Sequence, residues 1–441
     1  MNMNYKKNIP SSKHKYDFDS SDDDDASDSY QNALMSSLVA LSNKNISTSD
    51  NDNDKKPTES RIDFVKNLLD GNNLRPMVDF DNFDTETATN TRLNKKIMDV
   101  RELFTSMNVK LRYIKSGTTG HTFKAISKID PTIAFAVKVV AYPRGDDYGA
   151  MSNLSRPENA ELRMLKLLSY FVVKKHTPHF VLPVGTFNTS ITNFINVPAN
   201  IIDLTNEKNE MYKKFIDRYH DGEFEDFVSV LIVEWCNGGD LLDYIRKNYT
   251  MMTLRHWKVI IFQILFTLAK VHITYPNFRH NDMKANNVLV QVSDIKMDRP
   301  NLQYRYEIGD TEFYIPNINL VVKIWDFDFA CIDGIISNNK VNADWTNRIN
   351  ITKNENKYYD MHYFFNTLIS KRFFPQFYDE VNGAPPEIID FVHRVVPEKF
   401  RNGSKYINKK GRILVDTEFT TPYKVITTDP LFEKYRFHQK N

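Results

Sequence analysis

The chain has 441 residues, a formal net charge of +2, and 26% charged and 41% apolar residues. That is ample for a buried core, and length alone allows two or three domains or one large domain with tails. Its two cysteines, Cys236 and Cys331, exclude a disulfide framework and an all-cysteine zinc site and point to a reducing compartment. The near-neutral balance argues against a chain-wide field for nucleic acid or membrane, so no nucleic-acid partner is expected.

The first residues lack the apolar core of a secretory signal. No apolar run reaches the roughly 18 residues of a transmembrane helix. The best candidate, residues 259–271, is broken by Gln263 and Lys270 and reads as a core helix. Residues 1–60 carry 7 basic and 11 acidic residues, with seven Asp between Asp17 and Asp28. Such a stretch buries too little apolar surface to offset its ordering entropy, and a disordered tail is expected. Ser20, Ser21, Ser27 and Ser29 among those Asp are candidate phosphoacceptors, and residues 33–41 a candidate partner-binding helix. Residues 61–69 and 94–104 show helical spacing, so 61–108 reads as a helical extension with a loop between. From Val109, short alternating runs at 109–114, 122–126 and 133–141 predict an antiparallel sheet. Helices dominate after Leu254, which predicts an α+β protein with two lobes.

Six motifs carry chemistry. Residues 114–122 (Ile114, Lys115, Ser116, Gly117, Thr118, Thr119, Gly120, His121, Thr122) form a glycine-containing strand–turn–strand, whose backbone N–H groups could approach a phosphate. Lys138 sits inside the apolar run 136–140. It needs a counter-charge or anionic ligand if buried, or faces water if the strand is an edge. Glu161 adjoins the apolar face of a helix and is a partner for Lys138, with Glu158 as the competing choice. The strand 230–234 ends at Glu234 and Cys236, then enters a Gly238-Gly239 turn and a helix capped by Asp240. In His280-Asn281-Asp282-Met283-Lys284-Ala285-Asn286-Asn287, Asp282, Lys284 and Asn287 stand at spacings 0, 2 and 5 before an apolar strand. A further apolar strand ends at Asp326. Two acidic groups and an Asn at strand ends are the oxygen set that a magnesium nucleotide takes.

In this order the six resemble the eukaryotic protein kinase catalytic domain, over residues 109–401. The resemblance implies that residues 114–122 cover the ATP phosphates, with Lys115 where the first glycine would stand. Lys138 holds the α- and β-phosphates and pairs with Glu161. Glu234 to Cys236 form the adenine-binding hinge, with Val233 as gatekeeper. Asp282 is the catalytic base, Lys284 neutralises the transferring phosphoryl, and Asn287 and Asp326 are metal ligands. Asp360 matches the Asp that buttresses the catalytic loop. Lys284 favours Ser/Thr over Tyr substrates.

The sequence also departs from that family. Asn281 replaces the Arg before the base, which implies activity without activation-loop phosphorylation. Asp328 replaces the Gly after Phe327, and Ala384-Pro385-Pro386-Glu387 lies too late to be the usual end of the activation segment. Asp282 and Asp326 are 44 residues apart, which implies an insert at about 293–316 near the active site. Both cysteines are expected to line the nucleotide cleft.

With its acidic arm, HNDMKANN loop and WDFDFA strand end, the whole chain resembles the poxvirus serine/threonine protein kinases of early virion morphogenesis. This implies a bilobal protein-kinase-like fold, with a small antiparallel β lobe (109–234), a larger helical lobe (235–401) and a C-terminal extension (402–441). It implies ATP with Mg2+, Mn2+ being an alternative, and Ser/Thr protein substrates among viral membrane and core proteins. It also implies residence in the virion and in infected-cell cytoplasm, peripheral at ER and ER–Golgi intermediate membranes. A pseudokinase scaffold and a small-molecule or lipid kinase are the competing readings.

Overall fold

Period-two alternation builds the first sheet. Strand β2 (His121–Ser127) buries every other side chain and lies between β1 (Val109–Ser116) and β3 (Ala134–Pro143). With β4 (Pro183–Ser190) and β5 (Phe224–Glu234) they form an antiparallel sheet in the order β1-β2-β3-β5-β4. Because β3 is flanked by β2 and β5, Lys138 is interior and 8% exposed, which removes the edge-strand reading. The coordinates are a computed structural model that describes residues 57–81, 93, 95–117, 120–145, 148–293 and 302–437. The expectations for the acidic tail, its four serines, the 33–41 helix and Thr118 and Thr119 lie outside the described residues.

The N-terminal extension packs on this lobe. Helix α1 (Pro57–Leu69) begins earlier than residue 61, since Pro57 suits a first helical turn. Helix α2 (Val100–Ser106) begins later than residue 94, because the Asp99 side chain caps it by accepting from Arg101 N. Lys96 and Met98 are instead tied to the edge of β4: Met98 N donates to Asn188 O at 2.9 Å and Asn188 N to Lys96 O at 2.8 Å. Helix α3 (Pro157–Val173) is buried along most of its length. An insertion supplies α4 (Glu210–His220), whose Tyr212 and Phe215 enter the core.

The larger lobe is built on α5 (Leu241–Asn248) and α6 (Leu254–Thr274). By length and composition α6 could cross a membrane, but 78% of its most apolar stretch is buried inside the lobe. Strand β6 (Val288–Val292) pairs antiparallel with β9 (Leu320–Ile324), Val288 opposite Ile324. That register sets Asn287 and Asp326 at neighbouring strand ends, with Trp325 N donating to Asn287 O at 3.0 Å. Between them lies a hairpin, β7 (Gln303–Ile308) and β8 (Thr311–Pro316). It was expected near the active site. Its aromatic residues instead dock on α6, Phe313 against Phe262 at 5.0 Å and Tyr306 against Phe266 at 4.9 Å between ring centroids. Helices α7 (Tyr359–Leu368), α8 (Pro386–Val395) and α9 (Pro422–Thr428) complete the lobe. Glu387, from the Ala-Pro-Pro-Glu run, lies in the first turn of α8.

Candidate active site

Lys138 is the node at which the lobes meet. Its Nζ lies 2.6 Å from Glu161 Oε1 on α3 and 2.9 Å from Asp326 Oδ1 beyond β9. Burial alone would lower the Lys138 pKa, but Asp326 and Glu161 raise it above the ordinary lysine value. Glu158, the competing partner, is engaged by Arg156 at 3.2 Å. Asp326 adopts φ of +65°, and the next residue, Phe327, is fully buried against Phe180 and His280. The Asp326 carboxylate meets Lys138 while the Phe327 ring enters the core. Asp328, in place of a glycine, is tied down by Lys340.

The catalytic loop is held from several sides. Asp282 Oδ2 accepts from Lys284 Nζ and Asn287 Nδ2, both at 2.9 Å. Asn287 Nδ2 also donates to Asp282 O at 2.8 Å, so its carbonyl oxygen is the atom suited to ligate a metal. Asp360 on α7 accepts from His280 N at 2.7 Å and Asn281 N at 2.9 Å, the buttress the sequence implied. Sequence reasoning missed Arg412: its Nη2 donates to Asp282 Oδ1 and its Nη1 to Asn281 O.

The hinge runs out of β5. Glu234 turns its side chain away from adenine recognition into a buried ion cluster. Arg61 Nε of α1 donates to its Oε2 at 3.0 Å, Lys323 Nζ of β9 to Oε2 at 2.8 Å, and Leu182 N to Oε1 at 2.7 Å. Only its backbone can face a nucleotide. Arg61 and Lys323 carried no sequence signal. Cys236 is 5% exposed, and burial pushes its thiol up to about 11. Cys331 was expected to line the cleft. It lies instead beneath the catalytic loop with Val341 and Ile351, 3.6 Å from Asn281 Nδ2, and burial raises its pKa to about 12.

The glycine-containing turn between β1 and β2 closes on itself, Gly117 N donating to Gly120 O at 2.8 Å. A Cβ on Gly120 would meet Val139 O and Val140 Cγ2 at 2.9 Å, so glycine is required for β2 to approach β3. Ser116 Oγ bonds His121 Nδ1 at 2.7 Å. The His121 ring packs on Tyr212 and Phe215, and burial lowers its pKa to about 4. Ile114 is exposed at the lip, and Thr122 stands opposite Lys138. Lys115 Nζ crosses to Asp240 Oδ2 at 3.1 Å, linking the end of β1 to the start of α5.

Among the described residues no three His, Cys, Asp or Glu side chains gather as a metal cage. Two oxygen donors beside the buried Lys138 ammonium suit a hard divalent cation that completes its shell with phosphate and water. Asn287 and Asp326 fit that group.

The sequence profile of the poxvirus serine/threonine protein kinases matches residues 149–415. A chain of Acanthamoeba polyphaga mimivirus, named as a serine/threonine-protein kinase, is 65% identical over 426 residues, 96% of this chain and 90% of that one. A second so named from the same virus is 35% identical over 91 residues, 20% and 22% of the two chains. A serine/threonine-protein kinase of Caenorhabditis elegans is 29% identical over 111 residues, 24% of this chain and 10% of that one.

Proposed function

Because the chain belongs to the poxvirus serine/threonine protein kinase family and is an ATP-dependent protein kinase, we propose that Lys138, Asp282, Lys284, Asn287 and Asp326 carry its phosphoryl transfer to Ser and Thr. The supporting observation is the single ammonium of Lys138 within 2.6 Å of Glu161 and 2.9 Å of Asp326, which joins both lobes around one cleft. Lys138 grips the α- and β-phosphates. Asp282 Oδ2, the oxygen beside Lys284, orients the acceptor hydroxyl and takes its proton as its oxygen bonds Pγ and the bond to the β-phosphate oxygen breaks. Lys284 offsets charge on the transferring group. Asn287 and Asp326 would hold magnesium, or manganese, which when bound screens phosphate charge.

Asp282→Ala should lower phosphoryl transfer to a Ser/Thr protein acceptor by about 10³-fold or more, with ATP binding and fold retained. Lys138→Met should be comparably impaired. Unchanged transfer in either variant would remove that residue from its role, and labelling of lipids alone would overturn the substrate class.

The family resemblance supports a place early in virion assembly, with viral membrane and core proteins as substrates. It also supports residence in the virion and in infected-cell cytoplasm, peripheral at ER and ER–Golgi intermediate membranes. Virus carrying Asp282→Ala should arrest before enclosed particles form, read by electron microscopy. Normal particles would overturn that placement.

A further inference from the structure

We infer that Arg412 is a positioning residue of this kinase, a guanidinium supplied by the C-terminal segment that holds Asp282 and the catalytic loop in working geometry without any phosphate. The inference rests on the reading of Asp282 as catalytic base.

Asn281 stands where the family has the arginine that receives an activation-loop phosphate. It has other work: its Nδ2 donates to Phe329 O at 3.1 Å and Thr352 O at 3.0 Å, stitching the loop to the segment after Asp326. Its backbone is left-handed, φ +62°, so its carbonyl and the Asp282 carboxylate can be reached by one planar group. Arg412 is that group, one arm on Asn281 O and the other on Asp282 Oδ1. A fork spanning a backbone oxygen and the adjoining side chain fixes the orientation of the carboxylate, which a point charge cannot do as well. It also leaves Oδ2, the oxygen beside Lys284, to meet the acceptor.

The fork is itself held. Arg412 Nη1 donates to Tyr359 OH at 3.1 Å, and the guanidinium lies over the Tyr363 ring at 4.2 Å. Both are on α7, the helix that carries Asp360. The Arg412 backbone is fastened by Asn408, whose Oδ1 accepts from Arg412 N at 3.0 Å and whose N donates to Arg412 O at 2.9 Å. Asn366 Nδ2 holds Gly411 O at 2.8 Å, and Asn350 Nδ2 holds Ile413 O at 2.9 Å. Arg412 is 4% exposed. A contact so enclosed is a permanent brace and not a gate that opens for substrate. The order that other kinases gain when the arginine before the base binds a phosphate is here supplied by an arginine wired between C-terminal segment and loop.

The test uses the full chain with magnesium-ATP and dephosphorylated casein as acceptor. Arg412→Met should lower kcat by about 10²-fold, as expected for a misplaced catalytic group, while KM for ATP stays within about twofold. Arg412→Lys should recover part of the loss, to about tenfold below wild type. Phosphatase treatment of the wild-type chain should leave kcat unchanged. A methionine variant with wild-type or raised kcat overturns the inference. So does a lysine variant as impaired as methionine with a parallel rise in KM for ATP, which marks a merely structural residue. Should the methionine variant not fold, the lysine variant decides: lower kcat at unchanged KM supports the brace, and wild-type kcat overturns it. Asp282→Ala run alongside separates the two readings. If it is dead while Arg412→Met is wild type, only the brace falls; if it is active, the assignment of the base falls and the brace with it.

Discussion

Glu234 shows what one buried carboxylate contributes. Burial would raise its pKa, but Arg61 and Lys323 bring it down to about 2. A carboxyl held below its unfolded value of about 4.5 stabilises the fold above that pH, and loses this as pH falls toward 2. The shift corresponds to on the order of 3 kcal/mol. In urea titrations, Glu234→Gln should therefore be less stable than wild type at pH 7, with the gap narrowing between pH 4.5 and 2. A constant gap would contradict the linkage. Lys115 is the opposite case, 61% exposed in its side chain where it meets Asp240. Its partner Asp240 is buried, but with the ammonium solvated the pair is worth about 1 kcal/mol or less, so Lys115→Ala should speed ADP release by less than about fivefold in stopped flow. Lys138, Asp282, Asn287 and Asp326 were legible as residues because their neighbours in sequence form a recognisable string. Arg61, Lys323 and Arg412 were not, since their partners lie 173, 89 and 130 positions away and long-range pairing leaves no local mark.

At the scale of elements, period-two alternation told of β1 to β3, and the long apolar run told of α6, because burial of one face or of a whole helix writes itself into composition. The starts of α1 and α2 were displaced by a Pro and an Asp cap, features of single residues that periodicity blurs. The β7–β8 hairpin was legible as an insertion by length, but its seat was not. An aromatic residue advertises burial without naming the surface that buries it. Phe313 is fully buried against Phe262. Phe313→Ala should cost about 3–5 kcal/mol by chemical denaturation, while phosphoryl transfer per folded molecule stays near wild type. A large loss of kcat in the folded variant would place the hairpin in the catalytic apparatus.

Across the whole molecule, the order of motifs announced two lobes, and the structure adds braces from both ends of the chain. Arg412 reaches the catalytic loop from beyond residue 401, and the family match likewise runs on to residue 415. Arg61 reaches the hinge from the front, its fork grasping Pro178 O at 2.7 Å, Phe180 O at 2.6 Å and Glu234. Removing one partner of a buried ion cluster typically costs 3–5 kcal/mol, so Arg61→Met should lower stability by about that much in denaturant melts. The fork also bears on where this protein can be cut. A shortened chain starting at Val109 would keep every motif proposed to touch nucleotide, yet it would leave Glu234 and Lys323 to share a socket built for three charges and would strip α1 from the end of β5. A piece that starts downstream of Arg61 should therefore melt at lower denaturant than one that keeps it, and proteolysis from the front should slow where the Arg61 fork is anchored.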